Sequence, residues 1–527
     1  MMAGAPKLNV VLREPTHRDR DNLKVKLKFI FEQAGFDCDL REALSFDEIC
    51  ELIKQQKCDI LVTDLTLGRG GYPGLHDVRE FKKLFPYLFA IIVSSDTMDI
   101  SITESDLPKH DMFLIKGIVL NGGEQELARI GTRISESYAL LPPLMMRGVT
   151  AVPPTQVGEQ PLTEHDIRMI ARQCLWTKNT YDVPIAPLAL NLQQLSGGFS
   201  GSRVFKIEVE CQSPDAQYVP LVMKISEISR ACIERDNYNQ FVKWLLPAPN
   251  RVEIMGFGTT ECWGGLLYSF AFGGEKPLAN LTVPIREANI SGTKSILERV
   301  FVAQQRGFFR VKTQATQSSV GHRYTQRYFN SASKIDACRQ KFTASAASNF
   351  AIVRHQNKYS SGAHSIADPF RFLFNEFTDK QYHSAIIHGD FNSNNIITYG
   401  DDVVFIDFQD VGRGHLFEDF VAIESSIRLY YNIANPNQRD SFDLIEAERQ
   451  LWDGKIPADP RYELIDMVRK EAFKRFPNIP HWEYVYAVAA IHLRLHRLAD
   501  VGNFHMARLT SSVVAAMERL EGLRIEN

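Results

Sequence analysis

Between residues 386 and 410 the chain reads IIHGDFNSNNIITYGDDVVFIDFQD. Three of its side chains, Asp390, Asn395 and Asp407, are of the types that move a proton and hold a hard cation. A carboxylate can take the proton of an attacking hydroxyl, while an amide oxygen and a second carboxylate suit Mg²⁺, which prefers oxygen ligands. The turn Gly400-Asp401-Asp402 separates two apolar runs and predicts a hairpin. With Asp401 as its apex, Asn395 lies opposite Asp407 on one face, roughly 5 Å away, and Ile396, Val404 and Ile406 pack on the other. Singly, each residue has a plainer role: Asp390 and Asn392 cap turns, and Asp407 ends a strand. Jointly, in this register, they predict one base and two metal ligands around a single point.

HGDFNSNN followed by FIDFQD resembles the catalytic loop and metal-binding segment of the aminoglycoside phosphotransferase and choline kinase-like family, relatives of the protein kinases. The resemblance implies that Asp390 is the catalytic base, that Asn395 and Asp407 hold magnesium, and that His388 holds the loop. Asp419, in HLFEDFVAIE, resembles the family's acidic residue after the metal segment and equally suits a helix-start cap. The loop lacks an arginine before Asp390, and no activation-segment ending is recognisable. Both features argue against a protein kinase.

Further elements lie upstream in the order such a fold requires. LSGGFSGSRVFKIEVE is a Gly-rich turn between strands, where Gly197, Gly198, Ser200 and Gly201 would let backbone N–H groups approach phosphate. A tight hairpin uses the same residues. VMKIS places Lys224 in a strand, where a lysine is usually a solvated edge charge. Glu234 shares an apolar helical face with Tyr238, Phe241, Val242 and Leu245, and a buried carboxylate needs a partner. Lys224 is the natural candidate, and the resemblance assigns this pair to orienting the ATP phosphates. GGLLYSFAFGGEKPL would be the hinge, with backbone groups from Ser269 to Ala271 meeting adenine.

The first 140 residues alternate strand and helix patterns. LNVVL, DILVTD, FAIIVSS and MFLI read as strands, and helices carry Leu23, Leu27, Ile30 and Phe31, then Phe46, Ile49 and Ile53, then Val78 and Phe81, then Leu127, Ile130 and Ile134. Five strands and four or five helices predict a flavodoxin-like α/β domain with a parallel sheet. Asp64, Ser94 and Lys116 end or follow successive strands and would converge at the sheet's carboxyl edge. The arrangement resembles the receiver domain of two-component response regulators, which implies Asp64 as phosphoacceptor and a histidine kinase or another protein as partner. Receivers carry an acidic pair after the first strand. Here VVLREP offers Glu14 beside Arg13, a single acid next to a cation, which binds a metal poorly.

These readings divide the chain into a receiver-like domain (1–140), a linker with two Pro-Pro pairs (141–160), and a two-lobed α+β kinase-like domain. Its mostly-β lobe covers 161–275 and its helical lobe 276–527, with a helical insertion at 279–385 that matches no motif. The chain has 527 residues, 44% hydrophobic and 23% charged, which fits several globular units. A net charge of −3 without basic runs gives no support for nucleic acid as partner. No apolar stretch approaches the roughly 18–20 residues that span a bilayer, and the N-terminus lacks a signal-peptide pattern. Eight cysteines without a C-x-x-C pair predict reduced thiols in a cytoplasmic protein. Two functions follow: a kinase that uses Mg²⁺ and ATP to phosphorylate a small-molecule hydroxyl, adjusted by the receiver-like domain, or a signalling scaffold that binds nucleotide without turnover and carries a degenerate receiver.

Overall fold

The computed structural model describes the chain apart from residues 1–6, 15, 35, 55–57, 59, 66–72, 85–87, 96–111, 140–144, 148–160, 176–186, 196–201, 212–220, 261, 270–278, 363, 377–379, 400–401, 432–442, 498–502 and 526–527. The chain gathers into two compact units, residues 1–232 with 254–273 and residues 233–253 with 274–527.

In the first unit, β1 (Lys7–Arg13), β2 (Asp37–Glu42), β3 (Ile60–Asp64), β4 (Phe89–Ser94) and β5 (Met112–Ile115) form one sheet in the order 2-1-3-4-5. Every pairing is parallel, which is the expected flavodoxin-like order. Between the strands run α1 (His17–Gln33), α2 (Phe46–Lys54) and α3 (Pro73–Leu84), and after β5 come α4 (Lys116–Asn121) and α5 (Glu124–Ala139). The strands supply two cores because successive side chains face opposite ways. Val10, Leu12, Val62 and Ile91 pack with Leu27 and Ile30 of α1 and Leu127 and Ile134 of α5. Val11, Leu61, Ala90 and Ile92 pack with Ile49 and Ile53 of α2 and Val78 and Phe81 of α3.

A second sheet follows in the same unit. β6 (Met145–Arg147), β7 (Pro187–Leu195), β8 (Arg203–Cys211), β9 (Leu221–Glu227), β10 (Glu253–Thr259) and β11 (Trp263–Ser269) take the order 10-11-9-8-7-6. β6 lies inside the stretch expected to be a linker. Its three residues are too few to leave a periodic signal, yet they pair parallel with β7. The helix α6 (Glu164–Leu175) buries Ile167, Ile170 and Cys174 against Phe205, Ile207, Met223 and Ile225 of this sheet. Its Met169 enters the core that holds Ile49 and Phe81. The expected break at 141–160 is therefore bridged on the far side by apolar packing.

The second unit is dominated by helices. It holds the C-terminal half of α7 (Ile228–Asn237) and then α8 (Thr282–Arg286), α9 (Ile290–Arg306), α10 (Val320–Tyr328), α11 (Ala332–Phe350), α12 (Glu418–Tyr430), α13 (Leu444–Trp452), α14 (Pro460–Arg475), α15 (His481–Leu495) and α16 (Asn503–Ile525). Its strands are β12 (Ala279–Asn280), β13 (Gln314–Ser319), β14 (Val353–His355), β15 (Lys358–Ser360), β16 (Ser365–Ala367), β17 (Gln381–Ile387), β18 (Ile396–Tyr399), β19 (Asp402–Phe405) and β20 (Gly412–His415). They form three small sheets, 12-18-19, 13-17-20 and 14-15-16. The segment 279–385, expected to be a helical insertion, thus contributes strands to all three. α15 is buried from Glu483 to His492 and Leu493, as expected of a helix apolar around most of its circumference. Among the described residues no helix is long and apolar enough to cross a membrane.

α6 and β10 meet without side chains between them. A Cβ on Gly256 would stand 1.8 Å from the Cys174 carbonyl oxygen. Replacing Gly256 by Ala forces helix and strand apart, and it should cost about 2 kcal/mol or more, read as a lower midpoint in denaturant unfolding.

Candidate active site

The loop between β17 and β18 carries the expected base, and α12 sets its shape. Gly389 has φ +83°, and a Cβ there would lie 2.3 Å from the Asp410 carbonyl oxygen. Only glycine fits such a turn without strain. The loop backbone then points two donors at one acceptor. His388 N–H donates to Asp419 Oδ2 at 2.8 Å, and Gly389 N–H donates to Asp419 Oδ1 at 2.9 Å. Gln304 Nε2 adds a third bond at 3.3 Å. Asp419 is fully buried, and burial pushes its carboxyl up to about 7 while the two backbone donors pull the other way. Asp419 belongs to the first turn of α12 and braces the loop; the cap-like position read from the sequence is used for a neighbouring segment.

Asp390 follows at once. Asn395 Nδ2 donates to the Asp390 carbonyl at 2.8 Å and to its Oδ2 at 3.2 Å, and Asn392 Nδ2 reaches the same Oδ2 at 3.2 Å. Burial raises the Asp390 carboxyl above the usual range. Arg494 opposes that shift, the nearby charge of Asp407 reinforces it, and Asn392 and Arg327 oppose it. His388 Nε2 lies 3.0 Å from the Ile406 carbonyl, tying the loop to the segment that carries Asp407.

The expected hairpin forms, but one residue out of register. Ile396 pairs with Phe405 and Tyr399 with Asp402, which leaves a two-residue connection, the commonest hairpin length, in place of an apex at Asp401. Asn395 therefore stands opposite Ile406, whose N–H donates to its carbonyl at 3.1 Å. Ile396 and Val404, expected on one face, lie on opposite faces. Asn395 and Asp407 are set by other means. Asn395 closes the 3₁₀ turn Ser393–Asn395, and Asp407 takes the left-handed conformation, φ +65°. A non-glycine residue held there is strained, a cost that concentrates at functional sites. Glu234, fully buried, accepts the Phe408 N–H at 3.3 Å, and Asn237 Nδ2 donates to the Gln409 carbonyl at 2.7 Å. α7 thus clamps the two residues after Asp407.

Residues without a local signature complete the site. Arg327 of α10 donates to the Gly389 carbonyl at 2.7 Å and faces Glu418 at 3.5 Å and Asp410 at 3.8 Å. Glu418 is buried. Burial would raise its carboxyl, but Arg327 and Arg323 hold it below the usual range. Deeper in α12, Glu424 takes Arg428 and Arg469 at 2.7 Å and the Tyr484 hydroxyl at 2.8 Å. Arg428 also pairs with Glu448 at 2.8 Å. Burial acts to raise Glu424, and Arg469 and Arg428 overcome it and hold the carboxyl at about 2.

The upstream residues fall in part outside the described residues, namely Gly197, Gly198, Ser200, Gly201 and Ala271. Ser269 ends β11. Lys224 is buried on β9, an interior strand flanked by β8 and β11, so it is not the edge charge a strand lysine usually is.

In the first unit the four expected residues are all buried at the carboxyl edge of the sheet. Lys116 Nζ lies 2.9 Å from Glu14, 3.2 Å from Asp64 and 3.0 Å from Asp19. Asp19, in the first turn of α1, was not foreseen, and it corrects the expectation of a single acid. Arg13, expected beside Glu14, pairs instead with Asp77. Burial alone would lower the Lys116 pKa; the hydrogen bonds it donates to Glu14 and Asp19 and the Asp64 charge raise it above the usual lysine value.

Residues 330–487, which include Asp390, Asp407 and Asp419, match the family model described as Ternary complex associated domain 9. No curated protein matches the chain in sequence. Among solved structures, an aminoglycoside phosphotransferase from Streptomyces rimosus is 15% identical, covering 60% of this chain and 92% of its own, with a TM-score of 0.29. A glucosamine kinase in complex with glucosamine, ADP and inorganic phosphate is 10% identical over 64% and 83%, with a TM-score of 0.34. A response regulator receiver domain protein from Clostridium thermocellum is 21% identical over 26% and 99%, with a TM-score of 0.19. Likenesses this distant assign no activity, and the functional reading rests on the site itself.

Two measurements test the supports. Asp419→Asn replaces one acceptor oxygen by a donor facing a donor, and should cost about 2–3 kcal/mol in denaturant unfolding. Glu424→Gln should cost about 3 kcal/mol at neutral pH. A depressed carboxylate stabilises above its unfolded pKa of 4.5 and loses that contribution as pH falls toward about 2. The gap between variant and wild type should therefore close over that interval in an acid titration of stability.

Proposed function

We propose that the chain is an ATP-dependent phosphotransferase that moves the γ-phosphate to a hydroxyl of a small-molecule acceptor. The observation that carries the reading is Asp390, a buried carboxylate hydrogen-bonded by Asn395 and within electrostatic reach of Asp407, on a loop clamped by Asp419. A base that must take a hydroxyl proton gains from a raised pKa. The acceptor oxygen bonds to the γ-phosphorus as the bond from that phosphorus to the ADP oxygen breaks. The hydroxyl proton passes to Asp390, and the leaving electron pair departs with ADP.

The donor set fits Mg²⁺. Asn395 directs its amide nitrogen to Asp390, and among the described residues its amide oxygen takes no hydrogen bond. That oxygen and the Asp407 carboxylate are the hard ligands Mg²⁺ accepts. Among the described residues no group of three or more His, Cys, Asp or Glu forms a metal cage, and Mg²⁺ bound with a nucleotide needs only one or two protein oxygens. When bound, the ion would offset charge on the phosphates. In this reading residues 161–275 and 276–527 are the two lobes. Gly197, Gly198, Ser200 and Gly201 lie along the phosphates, Lys224 paired with Glu234 orients them, and Ser269 and Ala271 meet the adenine. The reading places the protein in the cytoplasm, with its ATP.

One observation favours a narrower role for the first unit. The Lys116 ammonium, held by three carboxylates, already supplies the positive charge that a divalent cation would bring beside Asp64. This supports a degenerate receiver that docks or adjusts the second unit, over one phosphorylated at Asp64 by a histidine kinase.

The test is ADP release by the full chain with magnesium and ATP. Asp390→Ala should lower the rate roughly 10²-fold or more. Equal turnover by variant and wild type, with both binding ATP, leaves only the nucleotide-binding scaffold.

A further inference from the structure

Three carboxylates, Asp390, Asp407 and Asp410, lie close enough to influence one another. Two guanidinium groups answer them, and they are differently employed. Arg327 is committed, bonded to the Gly389 carbonyl and facing Glu418 and Asp410. The guanidinium carbon of Arg494, on α15, stands over the Tyr328 ring 4.3 Å from its centre, while that of Arg327 stands 5.2 Å from the same ring. Tyr328 is itself held by its hydroxyl, which donates to Glu418 at 3.1 Å. Among the described residues no carboxylate lies within ion-pair distance of Arg494, and its side chain makes no hydrogen bond.

A guanidinium held over a ring by its charge alone keeps its N–H donors, a planar fork that matches an oxyanion. Arg494 is half-buried, so its edge is not sealed in the core. Its charge is the strongest attraction acting on Asp390. A second positive charge brought in by an acceptor would meet both arginines. A negative one would meet a fork with no competing partner.

We propose that the acceptor carries an oxyanion, a carboxylate or a phosphate monoester, gripped by Arg494 so that a neighbouring hydroxyl of the same molecule faces Asp390. The assignment rests on the phosphotransferase reading and narrows it: amino sugars and other cationic acceptors are excluded, and hydroxy acids or sugar phosphates are admitted. Arg494 is thus a specificity residue, with Tyr328 as its platform.

The experiment is calorimetric titration of the full chain saturated with magnesium and AMP-PNP, using three hydroxyl-bearing probes: glycerol 3-phosphate, glycerate and glucosamine. At least one of the two anions should bind, which identifies the phosphate or the carboxylate, and glucosamine should not. Arg494→Met should weaken the bound anion by about tenfold or more, since hydrogen bonds to charged groups are the strong class. Arg494→Lys should recover part of the loss, because charge returns without the fork, and this guards against a misfolded variant. Binding of glucosamine in preference, failure of both anions to bind, or unchanged anion affinity in Arg494→Met would each overturn the proposal. So would a loss in Arg494→Met confined to AMP-PNP. ADP release by wild type and Asp390→Ala keeps the two claims apart: if Asp390 proves dispensable, the phosphotransferase reading fails, while anion capture at Arg494 is judged on the titration alone.

Discussion

One carboxylate, that of Asp419, takes the backbone N–H groups of His388 and Gly389, and the conformation of the whole loop follows from it. Two adjacent amides can converge on one acceptor only if the chain turns sharply, which the left-handed Gly389 permits. With that turn made, the next residue, Asp390, is presented to Asn392 and Asn395 and toward the charge of Asp407. The helix behind Asp419 must therefore be immovable. α12 meets that need with buried charge, because Glu424 draws arginines from its own helix and from α14, and a tyrosine from α15. Pairs of this kind add little net stability over apolar packing, yet breaking one is costly, so they fix a position.

The local parts of this arrangement were legible in the chain. Asp390, Asn395 and Asp407 sit within one short stretch whose residue types and turn signals state their chemistry. The parallel sheet announced itself through apolar runs on β1, β3 and β4, while β2, a half-exposed edge strand of sequence DCDLRE, left no comparable pattern. The register slipped by one because a run of Gly and Asp does not say which two residues form the turn, and every cross-strand partner depends on that choice. What could not be read was contributed from afar. Gln304, Arg327 and Arg494 reach the loop from helices far away in the chain, and arginines on amphipathic helices look like ordinary solvated charges until the fold is known. Asp19 was overlooked for a related reason, since the first turn of a helix is where acids are commonplace.

The two units treat acidic clusters in opposite ways. At the edge of the parallel sheet, Lys116 is drawn into contact with all three carboxylates, so the charge there is balanced internally. Around Asp390 the balance is left open: the amide oxygen of Asn395 and the edge of Arg494 take no partner from the described residues. A site finished by its own side chains suits a structural or docking surface. One that leaves an acceptor and a donor unspent suits an exchange of ligands.

The placement of these supports also sets an order in time. As the polypeptide is made from its N-terminus, HGDFNSNN is complete long before Arg469, Tyr484 and Arg494 exist. Until they do, Glu424 has no partner from α14 or α15, and Asp390 lacks its strongest opposing charge. A nascent chain halted near residue 430 would carry every residue of the recognisable motif but, of the buried pairs around Glu424, only the one with Arg428. The fully braced loop is thus completed late in synthesis, only once the C-terminal helices have been added.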